Sequence, residues 1–141
     1  MKYTYWNIEI DGVDRVGKNT LAPYLTFLSN YRFAIKPRGL LTQLVYSKKF
    51  NRYYKYDYDS YKEHTVIVLL YADEEDLKER FWNTNEKEIN IKYDMIMFEN
   101  EANMLISKGF KVLKYNTSHI THYDIAKDII AHIDTWETSK W

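Results

Sequence analysis

A chain of 141 residues is long enough for one domain around one core, so a single site is expected, and lysine plus arginine equals aspartate plus glutamate at 20 each, which leaves only local charge arguments for nucleic acid or membrane. Cysteine is absent, which excludes disulfides and thiolate metal sites and fits a reducing compartment. Met1 to Ile10 has no apolar run of signal-peptide length and the longest apolar run, Val66 to Ala72, is far short of the ~20 residues of a membrane span, so a soluble cytoplasmic protein is expected.

Tyr5 to Ile10 is predicted as a strand ending in Asp11-Gly12, and the glycines at 12 and 17 bracket a loop. A helix is expected to open at Lys18, carrying Leu21, Leu25 and Leu28 at helical spacing, to tolerate Pro23 with a kink, and to end near Ser29-Asn30. Arg32 to Lys36 reads as a short strand halted by Pro37, and a helix from Leu40 to Lys48 follows Gly39. Thr65 to Tyr71 is β-branched and apolar throughout, the pattern of a strand buried on both faces of a parallel sheet. Asp73 to Trp82 and Tyr93 to Lys108 read as helices, Gly109 stands where a left-handed cap belongs, and Phe110 to Tyr115 forms the next strand. The last helix begins at Thr121, whose hydroxyl with Asp124 matches a capping box, and places Ile125, Ile129, Ile133 and Trp136 on one face. This alternation implies one three-layer α/β domain over residues 1–141, a parallel sheet flanked by helices with ligands outside the carboxyl ends of the strands. Asp11 to Thr20 lies at one such end, and Arg38, Asp73 and Asn116 to Ser118 follow other strands and are expected at the same rim.

Gly12-Val13-Asp14-Arg15-Val16-Gly17-Lys18 has the spacing Gly-x4-Gly-Lys between a strand and a helix. Such a segment offers successive backbone N–H groups, a helix amino terminus and one ammonium, all of which attract a polyphosphate. ATP is therefore the expected cofactor at Gly12 to Thr20. Ser or Thr usually follows the lysine and offers Mg²⁺ a hydroxyl; this chain has Asn19. An amide oxygen also ligates a hard cation and Thr20 stands next to it, so Asn19 and Thr20 are the expected Mg²⁺ ligands, with impaired metal binding as the alternative.

Ile8-Glu9-Ile10-Asp11-Gly12-Val13-Asp14-Arg15-Val16-Gly17-Lys18-Asn19-Thr20 resembles the first strand and phosphate loop of thymidylate kinases. Pro37-Arg38-Gly39-Leu40-Leu41-Thr42-Gln43-Leu44-Val45-Tyr46 is similar to the segment of deoxynucleoside and thymidylate kinases that reads Asp-Arg and then Ser-x-x-x-Tyr, and Val66 to Arg80 is similar to their next strand and the start of their lid. The resemblance spans most of the chain and implies a P-loop NTPase-like sheet of reduced size. The implied activity is transfer of the ATP γ-phosphate to a nucleoside or nucleotide. Lys18, Arg15 and Arg80 would then act on the transferring phosphate, Asp14, Arg38 and Tyr46 on the acceptor, and Asn116 to Ser118 near adenine.

Asp11 stands where nucleoside-phosphorylating relatives place a carboxylate able to take a proton from a sugar hydroxyl, and equally reads as a strand-end Asp bonded to loop backbone. The chain also departs from the family. Only Asn30 to Phe33 fills an interval that normally holds a strand and a helix, Pro37 replaces the Asp before Arg, and Asn83, Thr84 and Asn85 follow Arg80 where a second lid arginine is usual. Loss of such an arginine removes charge from the transferring phosphate. A non-catalytic nucleotide-binding or decoy protein and a kinase acting on a modified base in DNA therefore stand as alternatives.

Residues 31–62 hold eight Lys/Arg against two Asp, and seven of the fourteen tyrosines. This suits a single-stranded nucleic acid stacked on Tyr53, Tyr54, Tyr56 or Tyr58, and equally a surface on which tyrosines cover the core. His64, His119, His122 and His132 lack metal-ligand spacing and read as surface or capping residues, and Asp73 to Glu88 reads as a solvated helix and mobile lid. Association into a homodimer is left open.

Overall fold

Thr65–Tyr71 forms β3 of the computed structural model, and only Tyr71 of it is exposed. A strand so buried must have neighbours on both edges and layers on both faces. The structure describes residues 6–13, 16–52, 57–82 and 91–138. Along the chain run β1 (Asn7–Asp11), α1 (Lys18–Leu28), β2 (Ala34–Pro37), α2 (Leu40–Lys49), α3 (Tyr58–Lys62), β3, α4 (Glu74–Trp82), α5 (Ile91–Ser107), β4 (Lys111–Asn116) and α6 (His122–Thr138). The strands lie in the order β2-β1-β3-β4, with every pairing parallel.

Alternation along β1 divides the layers. Trp6, Ile8 and Ile10 are fully buried on one face, where Trp6 meets the Trp136 ring of α6 at 5.9 Å and donates its indole N–H to Glu137 at 2.9 Å. Glu9 and Asp11 point to the other face and bond the start of α2. Thus α6, with α1 packed beside it, covers one face, while α2 and α5 cover the other. The second pair is held by the Lys48–Glu101 ion pair, its carboxylate buried, and by Lys49–Asp94 at 3.1 Å. On the first face the α6 stripe behaves as its periodicity demands: Ile125, Ile129 and Ile133 are fully buried, Trp136 is half-buried, and Thr121 Oγ1 accepts the Asp124 N–H at 3.1 Å.

Several expected bounds shift by a residue or two. β1 runs to Asp11, with Tyr5 outside the described residues. β2 spans Ala34–Pro37, because an edge strand tolerates a proline on its unpaired side, and Arg38 N–H still donates to Ile10 at 2.8 Å. α1 continues through Pro23, which removes one intrahelical donor for the exposed Asn19 without ending the helix. Gly109 takes the left-handed cap, φ 92°. The helix α3 was not foreseen. Its Tyr58 ring meets Phe110 edge-on at 6.2 Å and so covers the core, whereas Tyr53, Tyr54 and Tyr56 lie outside the described residues.

Between α1 and β2 the chain turns through left-handed Asn30 and Tyr31, φ 56° and 60°, with no further strand or helix in residues 29–33. Among the described residues no helix is long and apolar enough to cross a membrane. Because Ile129 is fully buried in the α1–α6 layer, Ile129→Ala should cost about 2–4 kcal/mol of unfolding free energy in a urea titration. A loss under about 0.5 kcal/mol would contradict that packing.

Candidate functional site

From β1 the chain crosses to β2 on one side, and β3 pairs on the other. The carboxyl ends of β1 and β3 therefore flank the crevice where a parallel sheet changes direction, the usual place for a ligand in such a fold. The connection 12–17 leaves β1 there. Gly12, φ 150°, passes so close beneath the Leu70 carbonyl of β3 that a Cβ would collide with it, and Val13 and Val16 anchor the loop in the core. Gly17, φ 97°, starts α1. Among the described residues no side chain caps α1 and no acid stands in its first turn, which leaves its positive end to backbone donors.

Lys18 is almost fully buried and turns back into the loop, its Nζ donating to the carbonyls of Gly12 at 2.6 Å and Val13 at 3.2 Å. Asn19 and Thr20 are exposed on the same turn, beside the loop. Asp14 and Arg15 lie outside the described residues.

Asp11 closes the other wall. Its Oδ1 accepts the Gly39 N–H at 2.7 Å, the Thr42 N–H at 3.1 Å and the Thr42 hydroxyl at 2.6 Å, while Oδ2 is buried without a partner. Glu9 Oε1 accepts the Leu40 N–H at 2.7 Å. Two buried carboxylates thus hold the amino end of α2, and they hold it beside Arg38, which sits exposed at φ 65°. A non-glycine residue there is strained by about 1–3 kcal/mol and is kept only where neighbours fix it. Asp11 is fully buried, so contact with any ligand needs this corner to move; in the folded chain it bonds Gly39, the residue after Arg38. Tyr46, two turns along α2, is half-buried and packs its ring 6.0 Å from Phe50.

The third wall joins the ends of β3 and β4. Asn116 donates its side-chain N–H to Asp73 Oδ1 at 3.0 Å, Ser118 Oγ accepts the Asp73 N–H at 2.8 Å, and His119 Nε2 lies 2.9 Å from Asp73 Oδ2. The Asn116 amide, and then His119, hold Asp73 below the ordinary carboxylate range. Asn116 and Ser118 were expected together near adenine; they meet at this turn, where the Ser118 N–H donates to Asn116 Oδ1 at 2.9 Å, and they border different cavities. Ser118 lines a cavity of about 450 Å³ with Thr20, Tyr24 and His122, next to the loop. Asn116 instead lines a cavity of about 430 Å³ with Leu69, Met95 and Phe98, on the α5 side.

Arg80 is half-buried on α4, and its charge bears on His122, the first residue of α6. His122 itself was expected at the surface or as a cap, yet its Nε2 is buried against Gly17. Nothing in its spacing announces this, because the contact joins residues far apart in sequence. The lid segment after Trp82 lies outside the described residues up to Ile91.

No protein-family model matches the chain, and no curated protein matches it. Solved structures do match. One is the YorR protein of Bacillus subtilis in complex with phosphorylated GDP, with a TM-score of 0.72 and 21% identity over 94% of this chain and 98% of that one. At that identity the likeness is one of fold, a three-layer α/β domain of P-loop type.

Burial, opposed chiefly by the Thr42 hydroxyl, raises the Asp11 carboxyl from 3.8 to about 6. A raised folded-state value favours folding fully below the unfolded value, and that contribution is lost as pH climbs through the folded one. The stability of the parent chain relative to Asp11→Asn, which keeps Oδ1, should therefore fall by on the order of 2 kcal/mol as pH rises from about 4 to about 6. Urea unfolding at a series of pH values reads this directly, and a pH-independent difference between the two would refute it.

Proposed function

We propose that the chain is a thymidylate kinase-like nucleoside or nucleoside monophosphate kinase that takes its phosphoryl group from ATP. The carrying observation is the loop 12–17 at the β1–β3 crevice, opening onto an α1 terminus that no described side chain caps, with the Lys18 ammonium turned into it. That arrangement supplies backbone donors, helix polarity and one cation to a polyphosphate. The shared fold with YorR, which holds phosphorylated GDP, supports the reading.

In this reading Lys18 exchanges the Gly12 and Val13 carbonyls for phosphate oxygens. Arg80 adds charge from α4, and Arg38 presents a guanidinium to the acceptor from its fixed corner. Arg15 and Asp14, outside the described residues, match the family's loop positions in sequence and are assigned the phosphate and the acceptor sugar on that ground alone. Mg²⁺ needs few protein ligands when phosphates and water supply the rest, and the exposed Asn19 and Thr20 beside the loop fit that demand. When bound, the ion would neutralise charge between the phosphates. The second reading is a nucleotide-binding protein without turnover. The short 29–33 connection favours it, since it leaves the acceptor side with fewer walls, and so does the sequence after Arg80.

At ~100-fold excess over Kd, ATP should stabilise the chain by about 2.7 kcal/mol, and Lys18→Ala should lose most of that thermal shift. Equal shifts in both proteins would displace the site from the loop. Turnover separates the two readings: in a kinase, Arg80→Ala lowers kcat at least roughly tenfold, about 1.4 kcal/mol, with ATP affinity nearly constant. Tight ATP binding with no ADP release above hydrolysis, across nucleosides, nucleoside monophosphates and oligonucleotides, would decide for the non-catalytic reading.

A further inference from the structure

α6 reaches the phosphate loop through its first side chain. His122 Nε2 is buried against the loop, so close to Gly17 that any Cβ at that residue would strike the imidazole ring, and the Gly17 backbone favours the charged form of that ring. The ring is therefore set where charge entering the loop acts on it directly. The groups around it are known. Arg80 bears on it from α4, Lys18 lies across Gly17 on α1, and Thr20, Tyr24 and His119 share its cavity, His119 being paired with Asp73. The α6 terminus adds a partial positive charge of its own. Burial and then Arg80 keep the ring below its ordinary value, against the Gly17 backbone, which raises it.

We propose that His122 is a positioning residue for polyphosphate, taking up a solvent proton when the anion fills the loop at Gly17 and so adding a positive group behind the cradle. This rests on the phosphate-binding reading of the loop. The physical step is simple: several negative charges brought to Gly17 favour the imidazolium. Gly17 is then needed twice, once for its left-handed backbone and once for the space the ring occupies. By linkage, affinity must rise as pH falls through the window between the free and the bound values of the ring, and level off on either side.

The test uses the whole chain, with ATP and inorganic triphosphate as probes, and compares it with His122→Gln, which keeps a polar group of similar reach. Calorimetry in buffers of different ionisation enthalpy counts protons, and the phosphates' own titration cancels in the comparison. The parent chain should take up as much as one more proton per ligand than His122→Gln, and its Kd should rise up to tenfold per pH unit relative to the variant inside the window. Imidazole NMR shifts of the parent chain read the same protonation without any variant: triphosphate should move the His122 signals to those of the imidazolium. Equal proton counts, or a ring that stays neutral in the complex, overturn the role of His122 while leaving the loop a phosphate site. Failure of the folded parent chain to bind either probe overturns the phosphate-binding reading, and the histidine with it.

Discussion

The carboxylate of Asp11 joins the strand that launches the loop 12–17 to the helix that carries the opposite wall of the crevice. Burying an ionisable group costs several kcal/mol unless donors replace water, and here Gly39 and Thr42 provide three of them to one oxygen. Glu9 repeats the device one strand pleat earlier by accepting from Leu40. Both carboxylates also lie at the positive end of α2, which favours negative charge. Of the helices that begin at this rim, α1 and α2 have their amino ends treated oppositely. That of α2 is filled from within by Glu9 and Asp11, while that of α1 is capped by no described side chain. Between these two, an anion from solution finds the unmatched polarity at α1.

The strain at Arg38 follows from the same bonds. Its left-handed backbone is tolerated because the residue before it stays in the sheet and the two after it are held by buried carboxylates. Loosening either acid would release the backbone corner that carries Arg38. On the far side of the crevice Asp73 does related work with exposed groups, tying the β3 end to Asn116, Ser118 and His119. Water screens those bonds, so they fix geometry more than they add stability. One wall is thus rigid through burial, the other through the number of its hydrogen bonds.

Much of the fold was legible in the sequence because its signals are local. Thr65 to Tyr71 could only be a buried strand, Lys18 had to open a helix after the second loop glycine, and Thr121 with Asp124 marked the start of α6. The loop spacing was legible for the same reason. What stayed hidden depends on pairs remote in the chain. Asp11 could be seen as a loop-bonding residue, but the Gly39 to Thr42 segment as its partner could not. Asn116 and Ser118 look equivalent until the end of β4 sends them to cavities on different sides. His122 carried no signal beyond its place after a capping threonine, and short α3 had none, being a run of Tyr, Asp, Ser and Lys with no apolar stripe.

The short connection between α1 and β2, residues 29–33 with no strand or helix of its own, shapes this border of the sheet. β2 becomes an edge only four residues long, and Pro37 removes an N–H that would otherwise invite another strand, so the sheet ends cleanly at this border. In the proposed kinase reading, an acceptor in the crevice would meet α2 and the Arg38 corner on one side and no described strand beyond β2. Fewer contacts would then hold it in line with a transferring phosphate, and orientation accounts for much of the rate of phosphoryl transfer. The loop 12–17 would not share that cost, because its glycines are set against β3 and α6, away from this border.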